Sequence, residues 1–125
     1  MAVKVFVFPF KATISVNQTY YHIRNQRHLT VEAVKLRLRI KEYIKKKYPL
    51  KFEIEDKIKV ELYVYENWNR KDGLTTHKDI ANREKFFIDS VFPEFGFDDC
   101  HIWDFRIIKM QSEIEQTRLL IDGCL

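Results

Sequence analysis

Apolar and polar positions change period several times along this chain, and each change marks an element. In AVKVFVF, Val3, Val5 and Val7 alternate with Lys4, Phe6 and Phe8, a period of two that predicts a strand with one face more deeply buried than the other. Pro9 ends it. KATISVNQTYYHIRNQRH follows neither the strand nor the helix period, so a long loop is expected there, of the kind that often carries function. From Val31 to Lys47, Ala33, Leu36, Ile40, Tyr43 and Ile44 recur at helical spacing while Arg37, Lys41 and Lys45 take the other side. This predicts an amphipathic, basic helix with Thr30 as N-cap and Tyr48-Pro49 as its stop.

The clearest strand is KIKVELYVYE, in which Ile58, Val60, Leu62 and Val64 fall on one face and Lys57, Lys59, Glu61, Tyr63 and Tyr65 on the other, the signature of a sheet buried on one side. NWNRKDGLTTH then reads as a turn-rich loop, its Trp68, Arg70 and Lys71 forming an aromatic-basic group at an exposed tip. A second helix is predicted from about Asp79 to Phe92, with Ile80, Phe87, Ile88 and Val91 on its apolar face, Lys78, Asn82, Lys85 and Asp89 on its polar face, and Glu84 as the exception. PEFGFDDC connects it to the alternating HIWDFRIIK, and TRLLID follows a polar turn. These last two are expected to be adjacent strands of a hairpin. The order strand, helix, strand, helix, strand, strand predicts an α+β fold: a single small domain over 1–125, with a mixed or antiparallel sheet of about four strands and two helices packed on one face.

Length and composition narrow the class. The 125 residues suit one core, and 46% hydrophobic with 32% charged residues is a globular balance. A net charge of +4, concentrated in RLRIKEYIKKK and NWNRKDG, is compatible with a face that meets a polyanion, although a solvated helix face explains any one run equally well. Cys100 and Cys124 do not form a disulfide framework, and no stretch has the length of a membrane span or the pattern of a secretory signal. A reduced, intracellular and cytoplasmic protein is expected.

Acids occur in two places that could carry chemistry: Asp79, and Asp98-Asp99 before the next strand. Converging carboxylates repel one another unless a hard divalent cation such as Mg²⁺ is bound between them. Each acid also has a structural reading, Asp79 as a helix-start residue and Asp98-Asp99 as turn residues. Asp79, Asn82 and Lys85 are spaced three apart, which on a helix would make one stripe of acid, amide and cation. Lys85 could then hold a phosphate or be simply solvated. His22, His28, His77 and His101 lack zinc-ligand spacing, and no glycine-rich phosphate loop is present, so neither zinc, thiol nor nucleotide-cofactor chemistry is expected.

Taken in order, these segments resemble the RusA-type Holliday junction resolvases, small dimeric Mg²⁺-dependent endonucleases of bacteria and phages. The resemblance rests on SVNQTYYH after the first strand, the helix at Val31 to Lys47, Asp79-Ile80-Ala81-Asn82-Arg83-Glu84-Lys85 against the family pattern D-x-D-N-x-x-K, Asp98-Asp99 before a strand, and Asp104, Arg106 and Lys109 against D-x-R-x-x-K. It implies that Asp79 and Asp99, with Asp98 adjacent, are metal ligands for Mg²⁺ or Mn²⁺, and that Lys85 is the catalytic or phosphate-contacting lysine. It also implies a bacterial or phage origin, a homodimer, and a branched-DNA substrate, with no nucleotide cofactor and no membrane partner.

The departure is Ala81, where the family has a metal-binding aspartate. A methyl group cannot replace carboxylate oxygens on a hard cation, so the chain as written is expected to be a weak or inactive nuclease. Ala81 is either inherited, leaving a junction binder that does not cut, or a deliberate Asp→Ala replacement; the intact surrounding motif favours the second. DNA contacts are expected from Asn17, Tyr21, Arg24, Arg27, Arg70, Lys71, Lys78, Asn82, Lys85 and the basic helix face, largely to phosphates. Tyr20, Tyr21 and Trp68 are candidates for base stacking, against a core role for the tyrosines. A non-catalytic branched-DNA-binding protein is the main alternative, and a protein-interaction domain with incidental charge the blander one.

Overall fold

In the computed structural model, which describes residues 3–123, the elements run β1 (Lys4–Phe8), α1 (Val16–Thr19), β2 (Tyr20–Ile23), β3 (Gln26–Leu29), α2 (Val31–Lys47), β4 (Ile58–Glu66), α3 (Glu84–Phe95), a 3-10 turn at Asp99–His101, β5 (Ile102–Gln111) and β6 (Gln116–Asp122). The architecture is α+β, as the periodicity predicts, with a mixed four-stranded sheet, order β1-β6-β4-β5, and a separate two-stranded sheet of β2 and β3. The chain forms two compact units. One comprises the chain up to Lys11, Glu53–Ala81 and the chain from Cys100 onward; the other comprises Ala12–Phe52 and Asn82–Asp99. The four-stranded sheet belongs to the first, the helices and the small sheet to the second.

In the first unit β4 is central, hydrogen-bonded to parallel β5 on one side and antiparallel β6 on the other. Its alternation is fully expressed: Ile58, Val60, Leu62, Val64 and Glu66 are buried, and the residues between them are half-buried. Register extends this apolar face sideways, with Leu62 opposite Leu119 and Leu119 opposite Phe6. On β1 the buried residues are Phe6 and Phe8, while Val5 is 54% exposed. The predicted β5–β6 hairpin does not form, because β4 lies between the two strands. The connection over Ser112 to Glu115 crosses the end of β4, and the Ser112 N–H donates to the Glu66 carbonyl at 3.0 Å. Alternation identified the strands, but neighbours are chosen by which backbone edges pair, and a strand buried as completely as β4 takes a partner on each side.

In the second unit α2 matches its prediction at both ends. The Thr30 hydroxyl accepts from the Ala33 N–H at 3.1 Å, and Tyr48 closes the helix, with Lys45, Lys46 and Lys47 in the last turn, where cations suit the negative end of the helix dipole. Ala33, Ile40 and Ile44 are its buried residues. They face a helix, α3, that buries Phe86, Phe87, Ile88, Val91, Phe92 and Phe95. Between the two helices the Arg37 Nε donates to the Ser90 hydroxyl at 3.1 Å, which itself donates to the Phe86 carbonyl at 2.7 Å.

Two expectations are corrected in this unit. The segment read as a long loop contains α1, capped by Ser15 in a reciprocal box with Gln18, and the β2–β3 hairpin, whose two-residue turn Arg24-Asn25 has φ of 51° and 65°. A type I′ turn needs two such left-handed residues and is usually marked by Asn-Gly; with arginine first, that signal is hidden. The helix predicted from about Asp79 begins instead at Glu84 and runs on through Pro93 to Phe95, closed by Gly96 at φ 80°. Asn82 stands at φ 65°, a left-handed conformation that a right-handed helix cannot contain. Asp79 and Asn82 therefore lie outside the helix, and the three-residue spacing does not form a helical stripe.

Candidate active site

The sequence motif straddles a boundary in the fold. Asp79 and Ala81 end a segment of the first unit, and Asn82, Lys85, Asp98 and Asp99 belong to the second. The chain thus passes from one unit to the other at Ala81–Asn82 and returns at Asp99–Cys100, so the two acid-bearing segments coincide with two chain crossings.

Asp79 and Ala81 are both exposed, Asp79 in a stretch without regular secondary structure and Ala81 in the turn that Asn82 completes. The backbone next to Asp79 is anchored by lysines and a buried carboxylate. Glu66 ends β4 with its side chain only 2% exposed, and its Oε2 lies 3.1 Å from the Lys78 Nζ and 3.9 Å from the Lys11 Nζ. The Lys78 ammonium also donates to the Asn67 carbonyl at 2.7 Å, while the Lys109 ammonium donates to the Lys78 carbonyl at 3.0 Å and sits 4.8 Å from the centre of the Trp68 ring. A carboxylate taken out of water needs partners of this kind. Lys78 and Lys109, which sequence reasoning set beside DNA or at the end of a motif, hold the peptide that precedes Asp79.

Trp68 is corrected by the same cluster. It is 3% exposed rather than at a loop tip, and its indole N–H donates to the Val64 carbonyl at 2.9 Å, which leaves no face for a base. Arg70 is engaged as well: its Nη2 donates to Asp72 Oδ2 at 2.8 Å. The Leu74 N–H and then the Arg70 guanidinium hold the Asp72 carboxyl below its ordinary range. Lys71 is exposed beside the Asp72-Gly73 turn.

In the second unit Lys85 occupies the first turn of α3, 51% exposed, with its Nζ 3.3 Å from Asp89 Oδ2. Asp98 and Asp99 are exposed and, with Asp89, line a groove of about 400 Å³ whose other walls are Ile88, Phe92, Pro93, Gly96 and Phe97. Sequence reasoning missed one carboxylate. The Glu84 Oε2 is buried without a hydrogen-bond partner, and the only hint of it was an acid on an apolar helix face. Asn17 lies in α1, and Tyr21, Arg24 and Arg27 in the hairpin, all exposed. Cys100 is exposed in the 3-10 turn, and Cys124 lies outside the described residues.

Carboxylate oxygens are the donors a hard divalent cation takes; in the second unit Asp98 and Asp99 are exposed and the Glu84 Oε2 is buried without a hydrogen-bond partner, and in the first Asp79 is exposed. Among the described residues, no three His, Cys, Asp or Glu side chains gather as a ready metal-binding set. No helix is long and apolar enough to cross a membrane among those residues.

A family model for the endodeoxyribonuclease RusA matches residues 9–122, nearly the whole chain, and the protein is therefore a member of the RusA endodeoxyribonuclease family, whose activity is the resolution of Holliday junctions. No curated protein matches it significantly.

Proposed function

We propose that this chain is a divalent-metal-dependent resolvase that nicks four-way DNA junctions in symmetric pairs, and that Ala81 disables it as written. The family match over residues 9–122 carries this reading. The motif residues Asp79, Asn82, Lys85, Asp98 and Asp99 stand in order around the one position that departs from the pattern.

In this reading Asp79 and Asp99, with Asp98 beside them and an aspartate restored at 81, would hold Mg²⁺ or Mn²⁺. When bound, such an ion supplies a more acidic water and screens charge on the phosphodiester. The protein's own contributions are positional and electrostatic. Glu66, Lys78 and Lys109 fix the peptide before Asp79. Lys85 exchanges Asp89 for the scissile phosphate, stabilising the added negative charge of the pentavalent state. Asn82, in its left-handed turn, orients the short segment that leads into α3 and Lys85. A junction has two-fold symmetry, so a homodimer of one domain per chain presents two equivalent sites to opposite strands.

The test is Ala81→Asp on a mobile four-way junction with Mg²⁺. Paired symmetric nicks, lost again on adding Asp79→Asn or Asp99→Asn together with calorimetric Mn²⁺ binding, are the expected result. Tight junction binding with no cleavage after Ala81→Asp would instead establish the second reading, a non-catalytic branched-DNA-binding protein, which the missing carboxylate at 81 favours. Sedimentation of the protein alone should give a dimer.

A further inference from the structure

Residues 1–31 contain no Asp or Glu, and the β2–β3 hairpin concentrates what that stretch offers to a ligand. Its strands pair Tyr21 with His28, His22 with Arg27 and Ile23 with Gln26. Tyr21 and Ile23 alternate onto one face, 44% and 54% exposed, and Tyr21 stacks on His28 with ring centres 5.4 Å apart and planes 26° from parallel. On the opposite face the Arg27 guanidinium lies 4.0 Å from the centre of the Tyr20 ring. The tip is Arg24-Asn25, both left-handed, so an arginine occupies a conformation that costs it about 1 kcal/mol and that glycine would adopt without strain.

The hairpin therefore has a flat aromatic–aliphatic ridge, arginines at its tip and opposite face, and no negative charge. Duplex DNA has no use for such a ridge, because its base faces are covered by their neighbours. At a branch point they are not, and stacking on an aromatic platform next to a phosphate-binding arginine is a general way of holding them. We infer that the hairpin Tyr20–Leu29 is the element that distinguishes branched from linear DNA, its Tyr21–Ile23 ridge lying against bases unstacked at the branch point while Arg24 and Arg27 hold the flanking phosphates. This rests on the junction-binding reading above and assigns its selectivity to one surface.

The experiment compares the unsubstituted chain, Tyr21→Ala/Ile23→Ala and Arg24→Ala/Arg27→Ala, none of which alters the proposed metal ligands or Lys85. Each is titrated, without metal, against a four-way junction carrying 2-aminopurine at its centre and against a linear duplex of equal length. Tyr21→Ala/Ile23→Ala is expected to weaken junction binding about tenfold or more, to abolish the 2-aminopurine fluorescence rise, and to leave duplex affinity and the melting temperature unchanged. Arg24→Ala/Arg27→Ala should weaken both complexes and lower the salt slope by about two. A junction preference and fluorescence rise that survive Tyr21→Ala/Ile23→Ala overturn the hairpin's role alone. Equal binding of junction and duplex by the unsubstituted chain overturns the junction reading and the hairpin's role with it.

Discussion

Two stretches of this protein share an aromatic-basic character and have opposite physics. NWNRKDG and YYHIRNQRH both mix aromatic rings with cations, yet in the first Trp68 is buried, and Arg70 is paired to Asp72. In the second Tyr21 is exposed, and no acid precedes Glu32 in the chain. Aromatic-basic composition therefore does not identify a nucleic-acid surface. What decides is whether an acid and a hydrogen-bond acceptor are in reach: Trp68 has the Val64 carbonyl four residues back and Arg70 has Asp72, whereas the hairpin lies within a run without carboxylates.

The contrast is most sharply exposed by Trp68→Ala, which should cost about 3 kcal/mol or more of unfolding free energy, as loss of a large buried ring does; Tyr21→Ala, on an exposed ridge, should stay within about 0.5 kcal/mol. Urea denaturation of the two variants checks this, and equal losses would erase the distinction. Next in size is Glu66→Ala, expected to cost about 2 kcal/mol, because it leaves Lys78 and Lys11 without the carboxylate that holds them. In the Ala81→Asp background it should also lower the turnover rate more than it raises the junction KM, since the peptide before Asp79 loses its anchor. Glu66→Gln should recover part of the stability through a neutral hydrogen bond.

The smallest expected effect is local and pH-dependent. Because the folded-state Asp72 carboxyl is held below the ordinary value of 3.8, its contribution to the Arg70–Leu74 turn is complete above that range and is lost as pH falls through the lowered folded value. The protection factor of the Leu74 amide, its exchange relative to the intrinsic rate at the same pH, should fall at acid pH in the unsubstituted chain and show no such fall in Asp72→Ala.

What was readable in the sequence depended on whether burial or a left-handed residue governed the segment. β4 and α2 were legible almost to the residue, because one continuous apolar face dictates each and because Thr30 and Tyr48-Pro49 are strong end signals. The motif at 79–85 was legible as a pattern of residue types but not as a shape: a left-handed Asn82 separates Asp79 from α3, where Lys85 lies, and neither spacing nor propensity reveals the sign of φ. Arg24-Asn25 hid the hairpin in the same way. The β5–β6 pairing failed for a different reason, since the position of β4 between them is settled by long-range edge pairing that no local pattern records. Glu66, at the end of the same strand, was assigned to neither face, and only its burial beside two lysines shows that it organises Lys11 and Lys78.

Thr30 carries a last consequence. Its hydroxyl donates to the Gln18 carbonyl at 2.7 Å while accepting from the Ala33 N–H at 3.1 Å, and its own N–H donates to the Thr19 carbonyl at 2.9 Å. One side chain thus closes the hairpin's base and starts the long helix, over a span short enough to zip on the microsecond scale of local elements. Residues 15–47 should therefore order early and together during refolding, with the sheet that joins β1 to β6 across most of the chain length arriving last.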